Sequence, residues 1–146
     1  MEWIDMLIQV LAAFGGTLGF GYLFNIRGSK LWWAAGGGMI AWGLFLLLGL
    51  VIQGEPVRYF IVAICSTLYA EFLARRLKTP ATTFCIITLI PLVPGGALYY
   101  TTTSALSGDA AVFLPRFIHT AELAVALSLG IVVVTAISRH VFKPRT

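Results

Sequence analysis

Uncharged runs of 18 residues or more separate the few charged positions of this chain. An α-helix rises about 1.5 Å per residue, so roughly 20 such residues cross a hydrocarbon core of about 30 Å. That spacing decides most of what the chain can fold into. Its 146 residues are 59% apolar and only 11% charged, with a mean hydropathy of +0.92. A soluble domain of this size exposes too much of its surface to hide that much apolar area. The expectation is an all-α, polytopic membrane protein, a single membrane domain over residues 1–146.

The runs divide into five spans, at about 3–24, 31–52, 57–75, 79–103 and 118–139. Short connections join the first four, and a longer one, "SALSGDAAVFLPRF", precedes the fifth. Arg27, Lys30, Arg75, Arg76, Lys78, Arg139, Lys143 and Arg145 then share one side, which holds 8 of the 10 basic residues. Arg58 and Arg116 lie on the other side, with Glu2, Asp5, Glu55 and Asp109. Lys and Arg are retained on the cytoplasmic side, so the expected topology is N-terminus out and C-terminus in, as a multi-pass protein of the inner (cytoplasmic) membrane. The acidic start, with Glu2 and Asp5, is unlike the basic start of a cleaved signal peptide. The net charge of +4 follows from these loops and is no signal for nucleic acid. Cys65 and Cys85 differ in depth by roughly 9 Å on helical rise, which argues against a disulfide.

Glycine crowds the first two spans. "AAFGGTLGFG" places Gly15 and Gly19 at the small-xxx-small spacing, and "WWAAGGGMIAWG" adds Gly36, Gly37, Gly38 and Gly43. Close helix packing is one reading and flexing at the glycines is the other. Tyr22, Trp32 and Trp33 read as anchors at the membrane boundary.

The fourth span is interrupted. "ITLIPLVPGGALYYTTT" puts Pro91, Pro94, Gly95 and Gly96 within six residues. Proline has no N–H, so Pro91 leaves the carbonyl of Ile87 without its helical partner, and Pro94 does the same to Ile90. Helical rise from Thr79 places Pro91 roughly 18 Å in, near mid-depth. Unpaired backbone survives in a bilayer only against protein or a water-filled cavity. The freed carbonyls would attract a cation, and the start of the second half-helix a carboxylate. Tyr99 and Thr101 would add neutral hydrogen-bonding groups. Ile87, Ile90, Pro91, Pro94, Gly95, Gly96, Tyr99 and Thr101 are therefore the candidate substrate-binding residues. A kink that serves packing alone is the alternative.

Four ionisable residues within spans are candidates for proton coupling or gating. Glu71 and Arg75 stand at i and i+4, and His119 and Glu122 at i and i+3. A structural pair is the alternative for Glu71 and Arg75, and an interfacial polar contact for His119 and Glu122. There is no Ser–His–Asp set, no third ligand that would complete a metal site, and no phosphate loop following a strand. Neither catalysis, a metal nor a cofactor is expected.

The segments "FNIRGSKLWWAAGGGMIAWGLF" and "YAEFLARRLKTPATTFCIITLIPLVPGGALYYT" together resemble the threonine/serine exporter (ThrE) family, in its short-subunit, YjjB-like type. The resemblance covers nearly the whole chain. Its most specific part includes Glu71, Ala74, Arg75, Lys78, Thr79, Pro80, Pro91, Leu92, Val93, Pro94, Gly95 and Tyr99. It implies export of small hydroxy-amino acids, or of dicarboxylates such as succinate, energised by the proton gradient. It also implies a longer partner subunit, and a homo-oligomer is the other assembly considered. If the longer half has five spans, the two halves sit in opposite orientations, as in inverted-repeat transporters. A non-transporting scaffold and a homo-oligomeric channel are the alternative functions.

Overall fold

The computed structural model describes residues 2–141; Lys143, Arg145 and the side chain of Glu2 lie outside the described set. Every regular element in it is helical. The order is α1 (Glu2–Leu23), α2 (Ser29–Gly49), α3 (Glu55–Leu77), α4 (Ala81–Leu89), a 3₁₀ turn (Ile90–Leu92), α5 (Gly95–Leu106) and α6 (Ala110–Val141).

Local chemistry sets the helix ends. Asn25 takes the left-handed conformation after α1 (φ 59°), and the Ile26 N–H reaches back to the Gly21 carbonyl at 3.0 Å. Lys78 does the same after α3 (φ 49°), with Thr79 N–H on the Ala74 carbonyl at 3.1 Å. Both are helix stops of the left-handed C-cap type. They bring two basic turns to one end of the molecule, where Ile26 and Leu31 pack with Leu73, Ala74 and Leu77. The turn carrying Arg27 and Lys30 and the end of α3 carrying Arg75, Arg76 and Lys78 therefore lie at the same end of the fold.

Two glycines of α2 pack closely, each against a different neighbour. A Cβ on Gly38 would collide with Thr17, and one on Gly37 would come within 2.5 Å of the Tyr69 ring. Gly15, Gly16 and Gly19 meet nothing within 4 Å. The Gly15–Gly19 pair expected to pack closely therefore faces outward, because α1 leans on α2 through Thr17 and Gly21 instead.

The helices α3 and α6 run parallel, in register along their length. His119 meets Glu55 at one end, Gly130 sits against Phe60, Ala63 and Ile64, and Arg139 shares a cleft with Glu71 at the other end. The chain between them must therefore return across the whole thickness. It does so as a single broken traverse, Ala81–Leu92 and Gly95–Leu106, bent by 61°. With the four unbroken helices that are long and apolar enough to cross a membrane, this makes five candidate spans.

The start of the fifth span differs from the sequence reading. The long connection expected over 104–117 shrinks to Ser107–Asp109, since Gly108 adopts a positive φ of 73° and the Asp109 carboxylate accepts from the N–H groups of Ala111 and Val112 at 3.0 and 3.3 Å. A glycine stop followed by an Asp N-cap starts α6 at Ala110. With His119 level with the first residue of α3, residues 110–118 run about 13 Å past that helix end.

Candidate functional site

The break between α4 and α5 is built by its two prolines. Among the described residues the carbonyls expected to be free are not. The Ile90 N–H donates to the Ile87 carbonyl, and the Val93 N–H to the Ile90 carbonyl at 3.2 Å. A 3₁₀ turn re-pairs what the prolines unpaired, which removes the basis for a cation site at Ile87 and Ile90. Both side chains pack into the apolar core at that level.

The next step is an inverse γ-turn. Pro94 has φ −75° and ψ 58°, and the Gly95 N–H donates to the Val93 carbonyl at 2.6 Å. Helix α5 then starts with no side-chain cap. Its first backbone bond is Leu98 N–H to the Pro94 carbonyl at 3.0 Å, so among the described residues the N–H groups of Gly96 and Ala97 have no acceptor. Gly95 and Gly96 are exposed, with nothing within 4 Å of a notional Cβ. A polar ligand has room to approach that backbone.

The amides face a cleft of about 500 Å³, lined by Glu55, Gly96, Ala97, Tyr100, Arg116, His119 and Thr120. Three helices supply the walls: the start of α3, the start of α5, and the second and third turns of α6. The Arg116 guanidinium is fixed by Nη1 donating to Ser104 Oγ at 2.6 Å and to the Tyr100 carbonyl at 3.3 Å, and it lies over the Tyr100 ring at 5.8 Å. The His119 ring nitrogen Nε2 is 3.1 Å from Glu55 Oε2. Thr120 donates to the Arg116 carbonyl at 2.8 Å and stands 2.8 Å from the Thr101 hydroxyl. One carboxylate, one guanidinium, one imidazole and two open amides thus surround the same space.

The break falls midway along the traverse, between two halves of twelve residues each. Leu92 packs with Tyr59, Val62 and Leu123, and Gly96 lines the same cleft as Glu55, so the break is level with the first turns of α3. The reason is that α4 does not begin where α3 ends. Ala81 and Thr82 already sit beside Ala70 and Glu71, and α4 starts correspondingly further along.

The residues singled out from sequence divide as follows. Gly96 lines the cleft; Pro94 is buried and Gly95 exposed, and neither lines it. Pro91 belongs to the 3₁₀ turn. Thr101 is buried, its hydroxyl engaged by Thr120. Tyr99 is exposed and touches Tyr100 edge-on, and Tyr100 faces the cleft. Glu71 and Arg75 form the expected pair at 3.0 Å, at the opposite end of α3. His119 is 4.0 Å from Glu122 but closer to Glu55, and Glu122 is exposed. Cys65 and Cys85 are free thiols. No cluster of three or more His, Cys, Asp or Glu suited to a metal occurs among the described residues.

Long apolar helices and one broken traverse with a charged cleft at its bend define a multi-pass membrane protein. Residues 9–137 match the family model described as threonine/serine exporter, ThrE. The chain belongs to that family, whose members are transporters and not enzymes. No curated protein and no solved structure matches it.

Proposed function

We propose that this chain exports small zwitterionic amino acids of the threonine/serine type across the cytoplasmic membrane, and that the cleft at the α4–α5 break binds them. The observation that carries the reading is the cleft itself, where open amides of Gly96 and Ala97 and the Arg116 guanidinium stand opposite the Glu55 carboxylate. A substrate carboxylate suits the helix start and the guanidinium. A substrate ammonium suits Glu55. Tyr100 and Thr120 border the place left for a short polar side chain. Dicarboxylates fit less well, because Glu55 opposes a second negative charge.

Proton coupling belongs in this scheme to the His119–Glu55 pair, which lines the substrate cleft directly. Glu122 stands beside His119 on the same helix, and Arg116 lies one turn earlier. Glu71 and Arg75 act at the far end as a gate. The orientation is N-terminus out, as retention of the basic turns on the cytoplasmic side requires, so the cleft opens outward. A longer subunit of the same family, or a second copy, covers the exposed apolar face of α1 that carries Leu7, Leu11, Gly15 and Gly19.

The test is efflux of labelled threonine and serine from preloaded cells with and without this chain and its partner. Arg116→Gln should slow efflux severalfold at equal membrane abundance, and Arg116→Lys, which keeps the charge but not the fork, should recover part of it. Efflux unaltered by Arg116→Gln would remove the cleft from the mechanism.

A further inference from the structure

The parallel register of α3 and α6 has a second product. At the Glu55 end, α3 supplies a carboxylate and α6 a guanidinium, Arg116. At the other end, α3 supplies Glu71 and α6 supplies Arg139, and both line a second cleft of about 340 Å³ closed by α4. Three hydroxyl residues, Thr67, Thr82 and Thr135, and the Cys85 thiol share its walls. Glu71 uses Oε2 on Arg75, and its side chain is only 17% exposed. Among the described residues no carboxylate pairs with Arg139, and the Thr82 hydroxyl engages no protein group. Between the two clefts lies a dry septum of Val62, Leu89, Leu92 and Leu123, all buried in one apolar cluster. Leu89 also forms part of the second cleft's wall, and Leu92 ends the 3₁₀ turn that adjoins the break.

We propose that the Glu71–Arg139 cleft is a second binding site for the same zwitterionic amino acid, the loading site on the Arg75 face, and that the α3–α6 seam is the path between the two. This rests on the exporter reading above. The substrate ammonium would face Glu71 and its carboxylate Arg139, with Thr82 and Thr135 near its side-chain hydroxyl. The ligand cannot pass while the leucine septum is closed. Bending at Val93–Gly96 shifts Leu89 and Leu92 together, because both sit on the α4 side of the hinge. The hinge therefore links the septum to both sites.

Cys85 is a built-in reporter of this cleft: it lies in the wall, its Sγ 3.9 Å from Thr67 Oγ1. With Cys65→Ser it becomes the single thiol, since the chain has two cysteines. Inside-out membrane vesicles from cells producing this variant are treated with a membrane-impermeant maleimide, and the same vesicles are assayed for threonine transport. The expected result is labelling of Cys85 that slows roughly tenfold when L-threonine is present at ten times its Kd, as simple occupancy dictates. Threonine methyl ester, which lacks the carboxylate, should protect far less. Glu71→Gln and Arg139→Gln should abolish protection, each variant's rate with threonine being compared with its own rate without it, and Arg116→Gln should leave protection intact. Threonine transport without protection of Cys85 would overturn the second site and leave the exporter reading standing. Absence of both transport and protection would overturn both. A thiol that reacts only after denaturation, or only in right-side-out vesicles, would also overturn the second site.

Discussion

Gly130 and Gly96 are the same residue put to opposite uses. At Gly130 a Cβ would stand 2.6 Å from Ala63 Cβ and 2.8 Å from the Phe60 carbonyl, so the missing side chain lets α6 lie against the α3 backbone. At Gly96 a Cβ would meet nothing within 4 Å. The missing side chain there leaves space in a cleft and an amide open to it. Gly130, with Gly37 and Gly38, serves the fold; Gly95 and Gly96 fill no gap in it, and in the proposed reading they leave room for the substrate. In lipid the first use is expected, because small residues let helix backbones approach. The second has no packing explanation within this chain.

Substitution should separate the two uses, and the largest effect belongs to Gly130. Gly130→Leu must drive α6 off backbone atoms that cannot rotate away, so the monodisperse fraction extracted in mild detergent should collapse; Gly130→Ala should cost about 1–3 kcal/mol as overpacking and lower the melting temperature. Next comes Gly96→Leu. It should leave that fraction and the melting temperature near wild type while threonine efflux falls about tenfold, equivalent to ~1.4 kcal/mol in the barrier. Thr101→Val is smaller. It deletes the 2.8 Å hydroxyl pair with Thr120 behind the cleft and should cost about 1 kcal/mol of stability, read as a modest fall in melting temperature. The smallest effect is expected for Gly19→Leu, within about 0.5 kcal/mol in the isolated chain. If a partner covers α1, the same variant should nevertheless lose co-purification with it, which sharpens the contrast between glycines that pack inside the chain and glycines that face outward.

The spans were legible because charge spacing acts directly on a chain in a bilayer. Five apolar segments and a sided distribution of Arg and Lys need no tertiary information. The break was legible for the same local reason, since Pro91 and Pro94 remove two helix donors whatever surrounds them. What the prolines leave behind was not legible. Whether the Ile87 and Ile90 carbonyls stay free depends on the 3₁₀ turn, a choice the chain makes when Leu92 finds its place among Tyr59, Val62 and Leu123. The partner of His119 was hidden by distance, because Glu55 lies 64 residues away and only the parallel register of α3 and α6 joins them. Arg116 had a usable signal. Gly108 followed by Asp109 reads as a helix stop and an N-cap. It would have carried Arg116 onto the same helical face as His119 and Thr120, at i, i+3 and i+4, where the sequence reading placed a long connection. The outward turn of Gly15 and Gly19 could not be read at all, since their spacing is the same whether the neighbouring helix belongs to this chain or another.

The central claim is that the bend after Pro94 exists to admit a polar substrate and does not merely relieve packing. Threonine efflux by Gly96→Leu, normalised to folded protein in the membrane, tests it most directly. The account predicts normal abundance with flux about a tenth of wild type or less. Wild-type flux per folded molecule would contradict it.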